Sequence, residues 1–394
     1  MNSRFLLISC FTLFMALVPS TALAYPEFIG YGYVSCVTCH YNTQGNGPLN
    51  DYGRALFASE ISSRSFFPET VTDEDLAEAS GFLGKKQLPW WLRPSFKYRG
   101  LLYRTNPGSS ESRSRFIVMQ EDFNLTLILD QEQRYIVSGN IGVGYHQSPG
   151  EPEPTKVWLS REHYFRWNLF EKLYLTIGMM DKVFGIRLID HTAFSRTRLD
   201  INQYRNISGT LTHGIVAHWI ESEWELTGHG FIGNLNEEEN LRKRGGSLMS
   251  EFTMGENKRV GFSVLTEGSP TAKQNAFAAH GKLAVSHGSA LLLEAGFHKK
   301  EDSSTMSNLS GYYAFAQTTV LLKRGYNLLS VAEFYKSKQD EHDLPEMYRW
   351  GVGLLCFPLP RVEIRLIGQD LRYWSQDKGD KDSWNAQAQL HLSF

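Results

Sequence analysis

Cys36-Val37-Thr38-Cys39-His40 is the stretch of this chain with the clearest chemical capacity. Two cysteines separated by two residues, followed at once by histidine, form the attachment signature of a c-type haem. Each thiol can bond one haem vinyl group, and His40 then lies beneath the iron as its proximal ligand. Three uncommon residues must coincide at fixed spacing, which makes the signature specific. The competing readings are a chance match and a redox dithiol. The expected cofactor is one covalently attached haem c, held by Cys36, Cys39 and His40.

Attachment of that kind needs an exported chain. Arg4 gives a positive start, Phe5 to Val18 is an apolar run, Pro19 breaks it, and Ala22-Leu23-Ala24 offers a cleavage site. Residues 1–24 therefore read as a secretory signal, and the mature chain is expected to begin at Tyr25. About 14 apolar residues are short for a bilayer-spanning anchor, and no later run approaches ~18. Cys10 departs with the signal, Cys36 and Cys39 are assigned to haem, and Cys356 stands alone, so no disulfide is expected. A formal net charge of -2 and the lack of a basic stripe argue against nucleic acid as a partner. With 24 Phe, 18 Tyr, 9 Trp and 34 Gly against 14 Pro, the composition fits an exported β protein.

The elements that must position the haem motif fall into two parts. Residues 25–89 form a small monohaem segment punctuated by Gly30, Gly32, Gly45, Gly47 and Pro48. Thr72-Asp73-Glu74-Asp75 reads as a helix start and Gly81 as its stop. Trp90-Trp91 marks a change of character, fitting either a membrane interface or an ordinary core. Residues 90–394 then run with a period of two. Trp384, Ala386, Ala388, Leu390, Leu392 and Phe394 share one face of the last segment, opposite Asn385, Gln387, Gln389 and His391. The same alternation appears in Leu173, Leu175 and Ile177 and in Trp350, Val352, Leu354 and Cys356.

The fold expected is mainly β: an antiparallel transmembrane β-barrel of about 16 strands, at ~19 residues per strand and connection. Short connections near Glu171, His287, Arg324 and Pro358-Leu359-Pro360 alternate with longer polar ones. Outer-membrane barrels turn tightly on the periplasmic side, which places both mature termini there. The rival is a soluble sandwich, whose single core could not bury so large an apolar face. The connection from about Gly185 to Gly209 is the third external loop, and reads either as folded inward or as solvated.

An electron-transfer iron usually takes a second protein ligand. Between Tyr25 and Trp91 there is no methionine, and His40 is the only histidine. The iron is then five-coordinate, or takes a weaker donor such as Lys85, Lys86 or the amino terminus, or draws a ligand from the barrel lumen. Strand parity points His218, His229, His280, His298 and His391 inward, with His191 in the long loop. His191 and His218 are the favoured distal candidates. A segment of about 65 residues cannot bury a haem well alone, so it is expected within or against the lumen.

Tyr25-Pro26-Glu27-Phe28, the Cys36 to His40 motif and Pro48-Leu49-Asn50-Asp51-Tyr52-Gly53-Arg54-Ala55-Leu56 together resemble the fused outer-membrane cytochrome–porins implicated in iron oxidation. The likeness is close over residues 25–57; beyond that it lies only in architecture. It implies a lumen-held haem that exchanges electrons with an extracellular donor or acceptor, Fe(II) among them, and with a periplasmic soluble cytochrome c. The stretch Tyr41 to Gly47 is longer and richer in glycine than the iron-oxidising members imply, which leaves donor and direction open. Arg54 has two readings, a partner for a haem propionate or a surface ion pair.

The leading expectation is an outer-membrane electron-transfer protein in contact with the lipid bilayer. Its rivals are a solute porin whose haem segment is a plug, and a peroxidase or gas sensor with an open iron site. No hydrolytic triad, phosphate loop or second metal motif stands out.

Overall fold

The computed structural model describes residues 26–33, 35–45, 47–84, 88–106, 112–146, 155–187, 193–199, 211–255, 257–303, 305–340, 342–374 and 381–394. Eighteen strand segments carry the fold. They are β1 Leu92–Asn106, β2 Arg113–Ile128, β3 Tyr135–His146, β4 Thr155–Leu159, β5 His163–Phe170 and β6 Leu173–Asp181. Next come β7 Leu211–Ile220, β8 Trp224–Phe231, β9 Arg244–Thr253, β10 Lys258–Gly268, β11 Ala272–Ser286 and β12 Ser289–Asp302. The last are β13 Ser307–Lys323, β14 Tyr326–Gln339, β15 His342–Asp343, β16 Glu346–Leu359, β17 Val362–Trp374 and β18 Lys381–Ser393.

Chain neighbours pair antiparallel, save β4 with β5 and β15 with β16, and β18 pairs back onto β1 from Lys97↔Ser393 to Asn106↔Trp384, which closes the sheet. β4 and β5 both lie along β3, and β15 leads into β16 along β14, so the eighteen segments make sixteen staves. The expected closed antiparallel barrel of sixteen strands is the fold observed.

The period of two works as read. On β16, Trp350, Val352 and Leu354 point outward and stay 53%, 51% and 40% exposed, while Met347, Arg349 and Leu355 turn inward and are buried. Trp384 and Leu390 stand outward on β18 and Gln389 inward. An apolar exterior around a polar interior inverts the arrangement of a soluble sandwich and suits a wall bathed in hydrocarbon. Tight turns at 171–172, 287–288, 324–325 and 360–361 share one end of the cylinder with the start of β1 and the end of β18. The Pro358-Leu359-Pro360 turn sits slightly later than its sequence implies: β16 runs to Leu359, and Arg361 takes a positive φ of 76° at the corner.

The N-terminal segment fills that same end. It comprises α1 Pro26–Ile29, α2 Cys36–Cys39, α3 Asp51–Leu56 continuing into a π turn at Phe57–Ile61, and α4 Asp73–Glu78. Thr72 and Asp75 form the capping box that starts α4, as their spacing predicts. The tight turns hold the segment by backbone bonds. Gly288 N–H donates to Gly30 O at 2.6 Å and Ser63 N–H to Phe357 O at 2.8 Å. Side chains reinforce them: Arg93 takes both Asp51 oxygens, Arg324 takes Ser62 O and Asp73, and Arg361 takes the Ala79 and Gly81 carbonyls.

A methyl at Gly30 would stand 2.3 Å from the Gly288 carbonyl carbon, a distance no real contact tolerates. Gly30→Ala is therefore expected to cost about 1–3 kcal/mol of seating through overpacking. Faster proteolysis of the segment, with the barrel ladder intact on gels, is the readout; an unchanged cleavage rate speaks against the seating.

Candidate cofactor site in the barrel mouth

The motif is a single helical turn. His40 N–H donates to Cys36 O at 3.0 Å, and Asn50 N–H returns to Cys39 O at 2.8 Å, so residues 41–49 loop out and come back. That loop is tied to the barrel wall. Asn42 Nδ2 donates to Glu162 Oε2 at 2.9 Å, Arg166 to Tyr41 O at 2.7 Å, and Lys97 Nζ to Gly47 O. Arg187 adds a bond to Gln44 O at 2.9 Å. Gly45 takes a φ of +73°, and a Cβ there would meet Cys36 Sγ at 2.8 Å. The glycine-rich stretch after the motif thus lets the backbone pass hard against the first cysteine.

His40 borders a partly open cavity of about 170 Å³. Phe28, Leu49, Phe57, Phe357 and Phe394 supply an apolar wall. Arg54, Lys97, Arg99 and Arg361 supply cations. His391 from β18 lines the same space. A haem is a flat apolar ring bearing two carboxylates and a metal that seeks nitrogen. Apolar walls, nearby guanidinium groups and two imidazoles match that chemistry. Arg54 Nε and His391 Nε2 are buried without a hydrogen-bond partner among the described residues, as donors and ligands awaiting a guest would be. The lining fits the ring, its carboxylates and its iron, while Cys36 and Cys39 stand outside it, on the helical turn before His40.

Arg54 makes an ion pair and lines the cavity as well. One guanidinium nitrogen binds Asp51, and the rest of the group borders the cavity. Cys36 and Cys39 are not bonded to each other. Burial raises both thiols, Cys39 to about 12 with the neighbouring Cys36 adding to it, so neither is a poised thiolate of the exchange kind. Burial alone would raise the Asp51 carboxyl, but the Arg93 hydrogen bond and the Arg54 charge outweigh it and hold the group below its ordinary value. A depressed carboxylate stabilises the fold above its unfolded pKa, about 3.9, and loses that contribution as pH falls through the lower folded value. Acidification below about 4 is therefore expected to loosen α3 from β1, and Asp51→Asn to remove the pH step. Accessibility of this segment to protease against pH measures it.

The third long connection folds inward where it is described. Val183, Phe184, Ile186, Phe194 and Leu199 are buried inside the barrel. Gly185 N–H donates to Ser263 Oγ at 2.9 Å, Ile186 N–H to Glu294 and Phe194 N–H to Glu333. Arg196 pairs with Glu294 at 2.8 Å, both buried. Of the two readings open in the sequence, the inward one applies to these residues. Glu294→Ala leaves Arg196 a buried, unpaired charge, expected to cost about 3–5 kcal/mol and to free the loop. Cleavage by an arginine-specific protease at this loop reports it, and protection equal to wild type contradicts it.

The other sequence-level candidates are not brought to the cavity. His218 Nε2 lies 3.1 Å from Glu225, inside a buried network with Arg259, Glu251, His280 and Lys282. His298 bonds Tyr335. His191 lies outside the described residues. Of the inward histidines, His391 is the one that reaches the cavity, and strand parity alone had no means of ranking it.

No family model and no curated protein matches the chain. Solved structures do. It is similar to the outer-membrane expressed OmpT of Vibrio cholerae, with a TM-score of 0.59 at 8% identity over 77% of this chain and 97% of that one. DcaP, an outer membrane channel of Acinetobacter baumannii, gives 0.56 at 10% identity over 77% and 97%. An anion-selective porin from Comamonas acidovorans gives 0.54 at 8% identity over 77% and 99%. At these identities the likeness is one of fold, a porin-type barrel.

Proposed function

We propose that this chain is an outer-membrane protein, a porin-type barrel whose N-terminal plug carries one haem c and transfers electrons across the barrel mouth. The observation that carries the reading is that His40, which ends the Cys36 to Cys39 turn, borders a cavity at the barrel mouth with apolar and cationic linings of the right kind. When bound, haem supplies a one-electron couple. Cys36 and Cys39 hold it, His40 ligates the iron, and Arg54 and Arg361 offer guanidinium groups to its carboxylates. The phenylalanine wall limits water at the iron and so helps set its potential. The tight-turn end, where the plug sits, is then the periplasmic side, with the signal removed ahead of Tyr25.

The seat of the motif at the periplasmic mouth bears on distance. The hydrocarbon layer is roughly 30 Å thick, too far for useful tunnelling from outside, so an extracellular redox substrate must reach the haem through the lumen. The partners this reading requires are a soluble periplasmic cytochrome c on one side and an extracellular redox substrate on the other. Fe(II) is the substrate that the resemblance to cytochrome–porins implies. Mixing purified protein with ferrous and ferric salts in a stopped-flow spectrophotometer tests it. Haem reduction or oxidation within the mixing time is expected; an inert haem with both salts counts against the conduit.

The comparisons favour a second reading, passage of solutes, since the similar structures are channels and porins. Liposome swelling separates the two. The plug and the inward loop predict slow sugar uptake through the intact protein, whereas fast uptake would favour the porin.

A further inference from the structure

We propose that His391 is the second axial ligand of the haem iron, held in place by Glu363. The inference rests on the haem-bearing reading above. His391 and Glu363 are directly paired across β17 and β18, both on the inward face. His391 Nδ1 lies 3.2 Å from Glu363 Oε2. An ionised carboxylate only accepts, so Nδ1 carries the proton of this bond, and Nε2 is left with a bare lone pair. Nε2 is buried and has no hydrogen-bond partner among the described residues, although most buried polar atoms are satisfied. It borders the cavity that His40 also borders.

A histidine with one nitrogen tied to a carboxylate and the other buried and free beside a cavity is arranged as a metal ligand. The carboxylate fixes the tautomer and raises ligand basicity. The charged groups packed around it agree. Arg99 pairs with His391 in register on β1, and Lys97 lies one inward position further along. Both cations are donors, yet neither is bonded to Nε2, which has no hydrogen-bond partner among the described residues, so the lone pair stays available. His40 from the plug and His391 from the barrel would then clamp one iron between two parts of the fold. Glu363 is a positioning residue, and His391 the ligand.

The test uses the full-length, haem-loaded protein. Mass and the pyridine haemochrome first establish the covalent haem; its absence defeats the haem-bearing reading itself, a separate outcome. With haem present, the wild type is expected to be low-spin in both oxidation states and unmoved by carbon monoxide. His391→Ala is expected to keep the covalent haem, become high-spin, bind carbon monoxide, and return to low-spin with added imidazole. A wild type that already binds carbon monoxide, or an alanine variant that stays low-spin, overturns the assignment. Should the variant fail to assemble, near-infrared magnetic circular dichroism of the wild type decides. A bis-histidine band supports His391, and a histidine–amine or histidine–methionine band overturns it.

Discussion

Replacing Cys36 and Cys39 together with serine is expected to leave an intact barrel with no covalent haem, a complete loss of the haem signal on denaturing gels. Serine cannot form a thioether, and the two thiols are the only ones in the plug. The barrel should survive because no ladder pair involves either residue: the closure from Lys97↔Ser393 to Asn106↔Trp384 runs between β1 and β18 alone. A single substitution should be milder, keeping one thioether and weaker retention. Persistence of covalent haem in the double variant, or failure of the barrel to become heat-modifiable, contradicts this. The second outcome would make the haem part of folding rather than a later addition.

Removing residues 26–88 while keeping the export signal is expected to raise single-channel conductance severalfold. Barrels of sixteen to eighteen strands leave a water-filled lumen when nothing occupies it. Here two pieces occupy it. The plug is pinned to the tight turns by Gly30, Ser63, Arg324 and Arg361, and the inward loop is pinned by Glu294 and Glu333. Deleting the plug and adding Glu294→Ala should open the bore further than either change alone. Equal conductance with and without the plug would show that the segment does not obstruct the lumen.

The fold was readable because a period of two is a local property. Trp350, Val352 and Leu354 declare their face by alternation alone, and alternation over enough segments forces a barrel. Turn length told, in the same way, which connections share one rim of the cylinder. The haem motif was readable for a related reason, since its five residues are contiguous. The cavity was harder to foresee. It draws Phe28 and Arg54 from the plug, Lys97 and Arg99 from β1, and His391 and Phe394 from the far end of the chain. Only barrel closure brings β18 beside β1, and no spacing in the sequence states which inward histidine meets a plug seated in one mouth. His218 was favoured because the long loop precedes its strand, yet Glu225 already claims it. Arg361 gave no sign in the sequence of its part in the site, because a positive φ at a turn, and its reach to the Ala79 and Gly81 carbonyls, are tertiary facts.

All of this turns on whether the two thiols of the Cys36 to Cys39 turn carry a tetrapyrrole. Intact mass spectrometry of the protein, purified from the envelope of cells with a working cytochrome c maturation system, asks that directly. The expected spectrum is a polypeptide beginning at Tyr25 and heavier by one haem, with neither Cys36 nor Cys39 open to alkylation after denaturation. A mass equal to the bare polypeptide, with both cysteines alkylated, contradicts the account and leaves a plugged porin.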